Sequence, residues 1–159
     1  MASCDAGAPP SYDDVTYVSF AQFSLVEQSY PSFKFEATLN KNARGGPTAD
    51  YRLDARNIAK FHGNYGAANS AKSFYDVLAI LRAHHFFAMR FHTPNAYYLD
   101  GPEDAIAVSR CGVTTTIATT PYGAEVDLDD IQGRAFVKLE SDLRNAIVSD
   151  QWNKIASPK

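Results

Sequence analysis

The sequence predicts one α+β domain, a curled antiparallel sheet packed by two helices, and three observations carry that expectation. Aromatic residues make up 13% of the chain, with ten Phe, nine Tyr and one Trp against two Met, a composition suited to a core built on a sheet. Short runs that alternate apolar with polar residues, bounded by Gly, Pro and Asn, fill the first part of the chain. Two later stretches repeat apolar residues at helical spacing. With 159 residues, 45% of them hydrophobic, the chain has the length of one domain and the apolar material for one core.

The elements follow in order. Residues 1–13 read as a flexible leader and residues 14–156 as the single domain. The run from Val15 to Val26 alternates large apolar with small polar residues, which predicts a half-buried strand ended by Ser29-Tyr30-Pro31-Ser32. Phe33 to Leu39 repeats with period two, and Asn40 to Pro47 supplies the residues of a hairpin loop. Two short strands are expected at Ala49 to Leu53 and Asn57 to Phe61. Ser73-Phe74-Tyr75-Asp76 resembles a helix cap, and Phe74, Val77, Leu78 and Leu81 then form one apolar stripe. Phe86, Phe87, Met89 and Phe91 are expected to close that helix onto the sheet.

Ala105 to Arg110 and Val113 to Thr119 are β-rich runs joined by Cys111-Gly112, a connection suited to a tight hairpin. The last helix repeats Phe136, Leu139, Leu143 and Ile147 on one stripe, with Arg134, Lys138 and Glu140 on other faces. Asp129 and Asp130 stand before it, where acidic groups suit the positive helix start. Trp152 and Ile155 are expected to dock the terminus. The order is four strands, helix, two strands, helix.

Charge narrows the function classes. The formal charge is −3, from 15 basic and 18 acidic residues interspersed along the chain. A nucleic-acid partner requires a basic stripe, and Arg52, Arg56 and Lys60 are isolated cations. No stretch approaches the roughly 20 apolar residues that span a bilayer, since Arg82, His84 and His85 break the run from Val77 to Met89.

Ala2-Ser3-Cys4 resembles the end of a bacterial lipoprotein signal, where small residues precede the cysteine that receives lipid. The plain alternative is a tail carrying an ordinary cysteine. Two cysteines give little sign of a disulfide framework.

Several short motifs recur in a particular order: Tyr30-Pro31-Ser32-Phe33-Lys34-Phe35, a Gly-containing hairpin, Ile58-Ala59-Lys60-Phe61-His62-Gly63-Asn64-Tyr65, and a helix ending Leu81-Arg82-Ala83-His84-His85-Phe86-Phe87. Asp100-Gly101-Pro102, the hairpin at Gly112 and the last helix continue it. This order resembles domain-of-unknown-function family 6438, found largely in exported bacterial proteins and lipoproteins. The resemblance covers roughly residues 15–150 and implies a fold and an exported setting. Tyr30 stands where that family has a cysteine before proline, so no thiol role at that turn is implied here.

The candidate chemistry is sparse. His84, His85 and His92 are the only concentration of histidine, yet adjacent helical residues point about 100° apart and share a metal poorly. Helix-end histidines meeting carbonyls or solvent are the stronger reading. Asp127, Asp129 and Asp130 lack the glycine and distal glutamate of an EF-hand loop, and helix capping explains them better. Cys4 and Cys111 show no histidine partner for a nucleophile. Gly45-Gly46-Pro47 lacks the Lys-Ser/Thr sequel of a phosphate loop. Tyr97, Tyr98 and Tyr122 fall on expected loops, where tyrosines supply contact area with a polar handle.

The expected function is therefore a non-catalytic protein-binding module of the bacterial envelope or periplasm, such as an inhibitor or immunity-type partner, with Tyr97, Tyr98 and Tyr122 as contact residues. A metal-dependent or hydrolytic enzyme using His84, His85 and His92 is one alternative, a structural accessory domain of an envelope assembly another. The alternative location is the cytoplasm. No cofactor or metal is expected, and membrane attachment only through lipid on Cys4.

Overall fold

The computed structural model describes residue 4 and residues 11–23, 31–58, 61–66, 71–89, 104–118, 131–150 and 152–154. Its strands are β1 (Val15–Phe23), β2 (Pro31–Asn40), β3 (Thr48–Ile58), β4 (Phe61–Gly66), β5 (Ala105–Arg110), β6 (Val113–Ala118) and β7 (Asn153–Lys154). The helices are α1 (Lys72–Ala83) and α2 (Ile131–Ser149), with 3-10 turns at Tyr12–Asp14 and Phe86–Ala88. The seven strands form one open antiparallel sheet in the order β6-β5-β1-β2-β3-β4-β7. The fold is α+β, an antiparallel sheet packed by two helices.

Period-two alternation decides which face of the sheet is covered. Val18 and Phe20 of β1 stand opposite Ala37 and Phe35 of β2 on one side and Val108 and Ile106 of β5 on the other. All are buried. The same face continues through Leu53 and Tyr51 of β3. Both helical stripes, Phe74, Val77, Leu78 and Leu81 on α1 and Phe136, Leu139, Leu143 and Ile147 on α2, join these residues in one cluster. Both helices therefore lie on the same side of the sheet. Each fully buried Leu or Phe in this layer contributes roughly 1.5–3 kcal/mol. The opposite face is polar, with Lys34 across from Asp54 and Glu36 across from Arg52.

Several boundaries differ from the expectation. The third strand runs on to Ile58 and the fourth begins at Phe61, so the expected strand from Asn57 to Phe61 straddles their connection. Pro31 opens β2, a position where a missing amide costs the ladder nothing. Within the span read as a leader, Tyr12 packs on Phe87 with ring centroids 4.9 Å apart. Its hydroxyl donates to the Leu81 carbonyl at 3.2 Å. Ser73 does not cap α1: the cap position is Ala71 and has no side-chain bond. Tyr51 of β3 fills that role, its hydroxyl accepting from the Phe74 amide at 2.8 Å.

The Cys111-Gly112 hairpin forms as expected, with Arg110 opposite Val113. Both turn residues have positive φ, 52° at Cys111 and 72° at Gly112, the conformation of a type I′ turn whose twist matches that of its strands. Trp152 docks the end of α2: its indole Nε1 donates to the Ile147 carbonyl at 2.8 Å. Its ring meets Phe35 and Tyr51 edge-on. Ile155 lies outside the described residues.

Candidate functional site

A groove of about 450 Å³ opens between α1 and the β2–β3 hairpin. Its floor is apolar, made by Val15, Leu39 and Leu78, all buried on the core side. Pro47 and Ala79 form the walls, and Tyr75, 46% exposed, stands at the edge. Asp13, Lys41 and Arg82 complete the lining. Arg82 Nη2 reaches Asp13 Oδ1 at 3.1 Å, Lys41 donates to the Asp13 carbonyl, and the Arg82 guanidinium lies over the Tyr12 ring. The charges thus hold one another at the rim. Among the described residues the lining offers no thiol, imidazole or hydroxyl nucleophile apart from the Tyr75 phenol, and it sets an apolar floor beside charges of both signs.

Sequence reasoning missed the groove because its walls come from residues far apart in the chain. One signal existed: Tyr75 is aromatic and falls off the apolar stripe of α1.

At the same end of the sheet, Cys4 is joined to Cys111 in a disulfide, with Cα atoms 5.4 Å apart and a sequence separation of 107. Two cysteines alone had given little sign of such a bridge. A sulfur in this bond carries no lipid, so lipidation of Cys4 and the bridge are mutually exclusive states. Arg110 lines the bridge, its Nη1 donating to Cys111 Sγ at 3.8 Å and lying 3.9 Å from Asp14 Oδ2. The two sulfurs and the Asp14 carboxylate all lie within 4.8 Å of one another. The bonded sulfurs are not thiolate ligands, and the Arg110 cation shares their corner.

A second polar cluster ties α2 to the sheet. Glu140 lies off the apolar stripe of α2, yet it is only 7% exposed. Its carboxyl bonds to the side chains of Asp104 and Gln22, and its Oε1 has no hydrogen-bond partner among the described residues. Gln22 Oε1 in turn accepts from Arg144 Nε at 2.7 Å and from Arg144 Nη2. Burial, and then the neighbouring Asp104, push the Glu140 carboxyl up to about 8, against the opposing pull of Arg144. Burial and the facing carboxylate both favour a proton held between Glu140 and Asp104, at the junction of α2 with β1 and the residue before β5.

His84 and His85 do not converge. His84 Nε2 lies 2.8 Å from Asp142 Oδ2, joining the end of α1 to α2. Hydrogen bonds from Lys138 and His84 hold the Asp142 carboxyl below its ordinary value. His85 turns away, exposed, in the left-handed region at φ 53°. His92, Tyr97, Tyr98 and Tyr122 lie outside the described residues, as do Asp127, Asp129 and Asp130. The topology does place their segments: residues 90–103 lead into Asp104, and residues 119–130 join the end of β6 to the start of α2.

Compared with known proteins, the chain matches no family profile, no curated protein and no solved structure.

Proposed function

We propose that this chain is a non-catalytic protein-binding module of an oxidising, extracytoplasmic compartment, and that it takes an apolar side chain of its partner into the groove beside α1. The observation that carries this reading is the groove itself, an apolar floor of Val15, Leu39 and Leu78 rimmed by Asp13, Lys41 and Arg82 with Tyr75 exposed at its edge. A buried apolar anchor surrounded by a polar rim is the energetic plan of a protein interface, and tyrosine at such an edge adds contact area with little entropy loss. The rim carries both signs, which supports a partner matched in orientation as well as in apolar shape. The Cys4–Cys111 bridge supports the compartment, since such bonds persist where thiols are not kept reduced. It agrees with the exported setting that the resemblance to family 6438 implies. Tyr97, Tyr98 and Tyr122 belong to this reading as further contact residues.

The test is affinity capture with the whole oxidised chain as bait, alongside an Ala79→Arg variant that fills the groove from an exposed helix position. A Val137→Arg variant, on an exposed position of α2, is the control. The reading expects one stoichiometric protein held by the wild type and by Val137→Arg, and lost with Ala79→Arg. Retention by Ala79→Arg defeats the groove as the anchor, and an empty capture by the wild type defeats the binding-module reading.

A further inference from the structure

The two edges of the sheet are treated differently. On one, β7 covers part of β4, with Tyr65 opposite Lys154 and Gly66 opposite Asn153. The Lys154 stem also lies over Gly63, where an added Cβ would stand 3.5 Å from it. On the other edge β6 pairs with β5 alone, and among the described residues no element lies on its outer side. Natural edge strands are commonly blunted by lysine, proline, a bulge or brevity. β6 has none of the first three: it reads Val113-Thr114-Thr115-Thr116-Ile117-Ala118, uncharged and regularly paired with β5 throughout.

The hairpin turn fixes which backbone groups this edge offers. A two-residue loop makes Arg110 and Val113 a hydrogen-bonded pair, and bonded and non-bonded pairs alternate from there. Val113, Thr115 and Ile117 therefore direct their amides and carbonyls to β5, while Thr114 and Thr116 direct theirs outward. The side chains of Ser109 and Thr114 agree with this phase, since their hydroxyls meet at 2.7 Å across the closer, non-bonded pair.

The strand is also close to palindromic in character about Thr115. We infer that β6 is a homodimerisation edge, pairing antiparallel with β6 of a second copy about a two-fold axis at Thr115. In that register Thr114 stands opposite Thr116 of the second copy, twice, each pair exchanging two backbone hydrogen bonds, and Val113 stands opposite Ile117. β-branched residues facing one another are among the favourable cross-strand pairs. On the helix side of the sheet Val113 is 51% exposed and Ile117 is only partly buried, so the second strand covers apolar surface that this one leaves open. With no charge on β6, the two copies meet without repulsion. A slip of one residue sets Val113 against threonine on the opposite face, which selects this register. A two-fold axis satisfies both copies with the same contacts and closes the assembly as a dimer. The inference does not rest on the groove, which lies across the sheet beside α1.

The experiment is sedimentation of the intact oxidised chain over a concentration series, for the wild type and for Thr116→Pro. Proline at an outward-facing amide removes no bond to β5, so the monomer stays folded. The expected result is a reversible wild-type dimer whose dissociation constant rises at least about tenfold in Thr116→Pro. A second measurement fixes the register and covers misfolding of the proline variant. Thr115→Cys should form an intermolecular disulfide between the two copies of position 115 under mild oxidation, mapped by mass spectrometry, while Val113→Cys should not. A wild type that stays monomeric, a dimer unaffected by Thr116→Pro, or crosslinking equal at both positions overturns the inference, leaving the edge to a foreign strand or to another segment of this chain.

Discussion

The hydroxyl of Tyr51 accepts a hydrogen bond from the backbone amide of Phe74 at 2.8 Å, so a strand residue caps the first turn of α1. The amides of a helix's first turn have no partner within the helix, and Ala71 at the cap position offers no side-chain acceptor. Burial is the main reason that the Tyr51 phenol is pushed up to about 12, and it stays a neutral hydroxyl through the physiological range. Tyr51→Phe should keep the ring in the core and remove the hydroxyl with its bonds to the Phe74 amide and the Ser73 side chain. The expected outcome is a loss of about 1–2 kcal/mol in urea unfolding with an unchanged fold. An unchanged midpoint would show that water replaces the hydroxyl at no cost.

The Cys4–Cys111 bridge closes a loop of more than a hundred residues, and constraint of the unfolded chain grows slowly with loop length. Reduction, or Cys111→Ser, should lower stability by about 2–4 kcal/mol. Thermal unfolding of the oxidised and reduced chain checks this, and equal midpoints would count against a structural role.

Glu140 predicts a pH dependence with a definite sign. Burial first, and then Asp104, push its folded carboxyl from the ordinary 4.5 up to about 8, so the folded state binds the proton more tightly than the unfolded state. The stability this supplies is complete below the lower value and is lost as pH rises through the upper one. Between about pH 5 and about pH 8 the wild type should lose more stability than Glu140→Gln, which has no proton to release, and above that the two curves should run parallel. Parallel curves for the two chains over the lower range as well would place the titrating group elsewhere.

His85 occupies a left-handed conformation, φ 53° and ψ 47°, just past the end of α1. Glycine adopts this without the steric cost that a Cβ brings. His85→Gly should raise stability by about 0.5–1 kcal/mol. His84→Ala should lower it by about 0.5–1.5 kcal/mol, because it breaks the bond to Asp142 between the helices. Denaturant midpoints of the two variants should move in opposite directions.

The sequence by itself determined the elements and the faces they bury. Alternation over Phe33 to Leu39 chose the covered face of β2, the stripe Phe136-Leu139-Leu143-Ile147 chose that of α2, and Cys111-Gly112 specified its turn. These features are written within a few residues of one another, where backbone geometry converts spacing directly into direction. Only the tertiary structure decided what those elements meet. It paired Cys4 with Cys111, supplied Tyr51 as the cap that Ser73 was expected to be, buried Glu140 against Asp104 and Gln22, and assembled the groove from Asp13, Leu39 and Leu78. Each joins residues distant in the chain, and which distant residues become neighbours is set by strand order and by where the helices return, neither of which a local pattern contains.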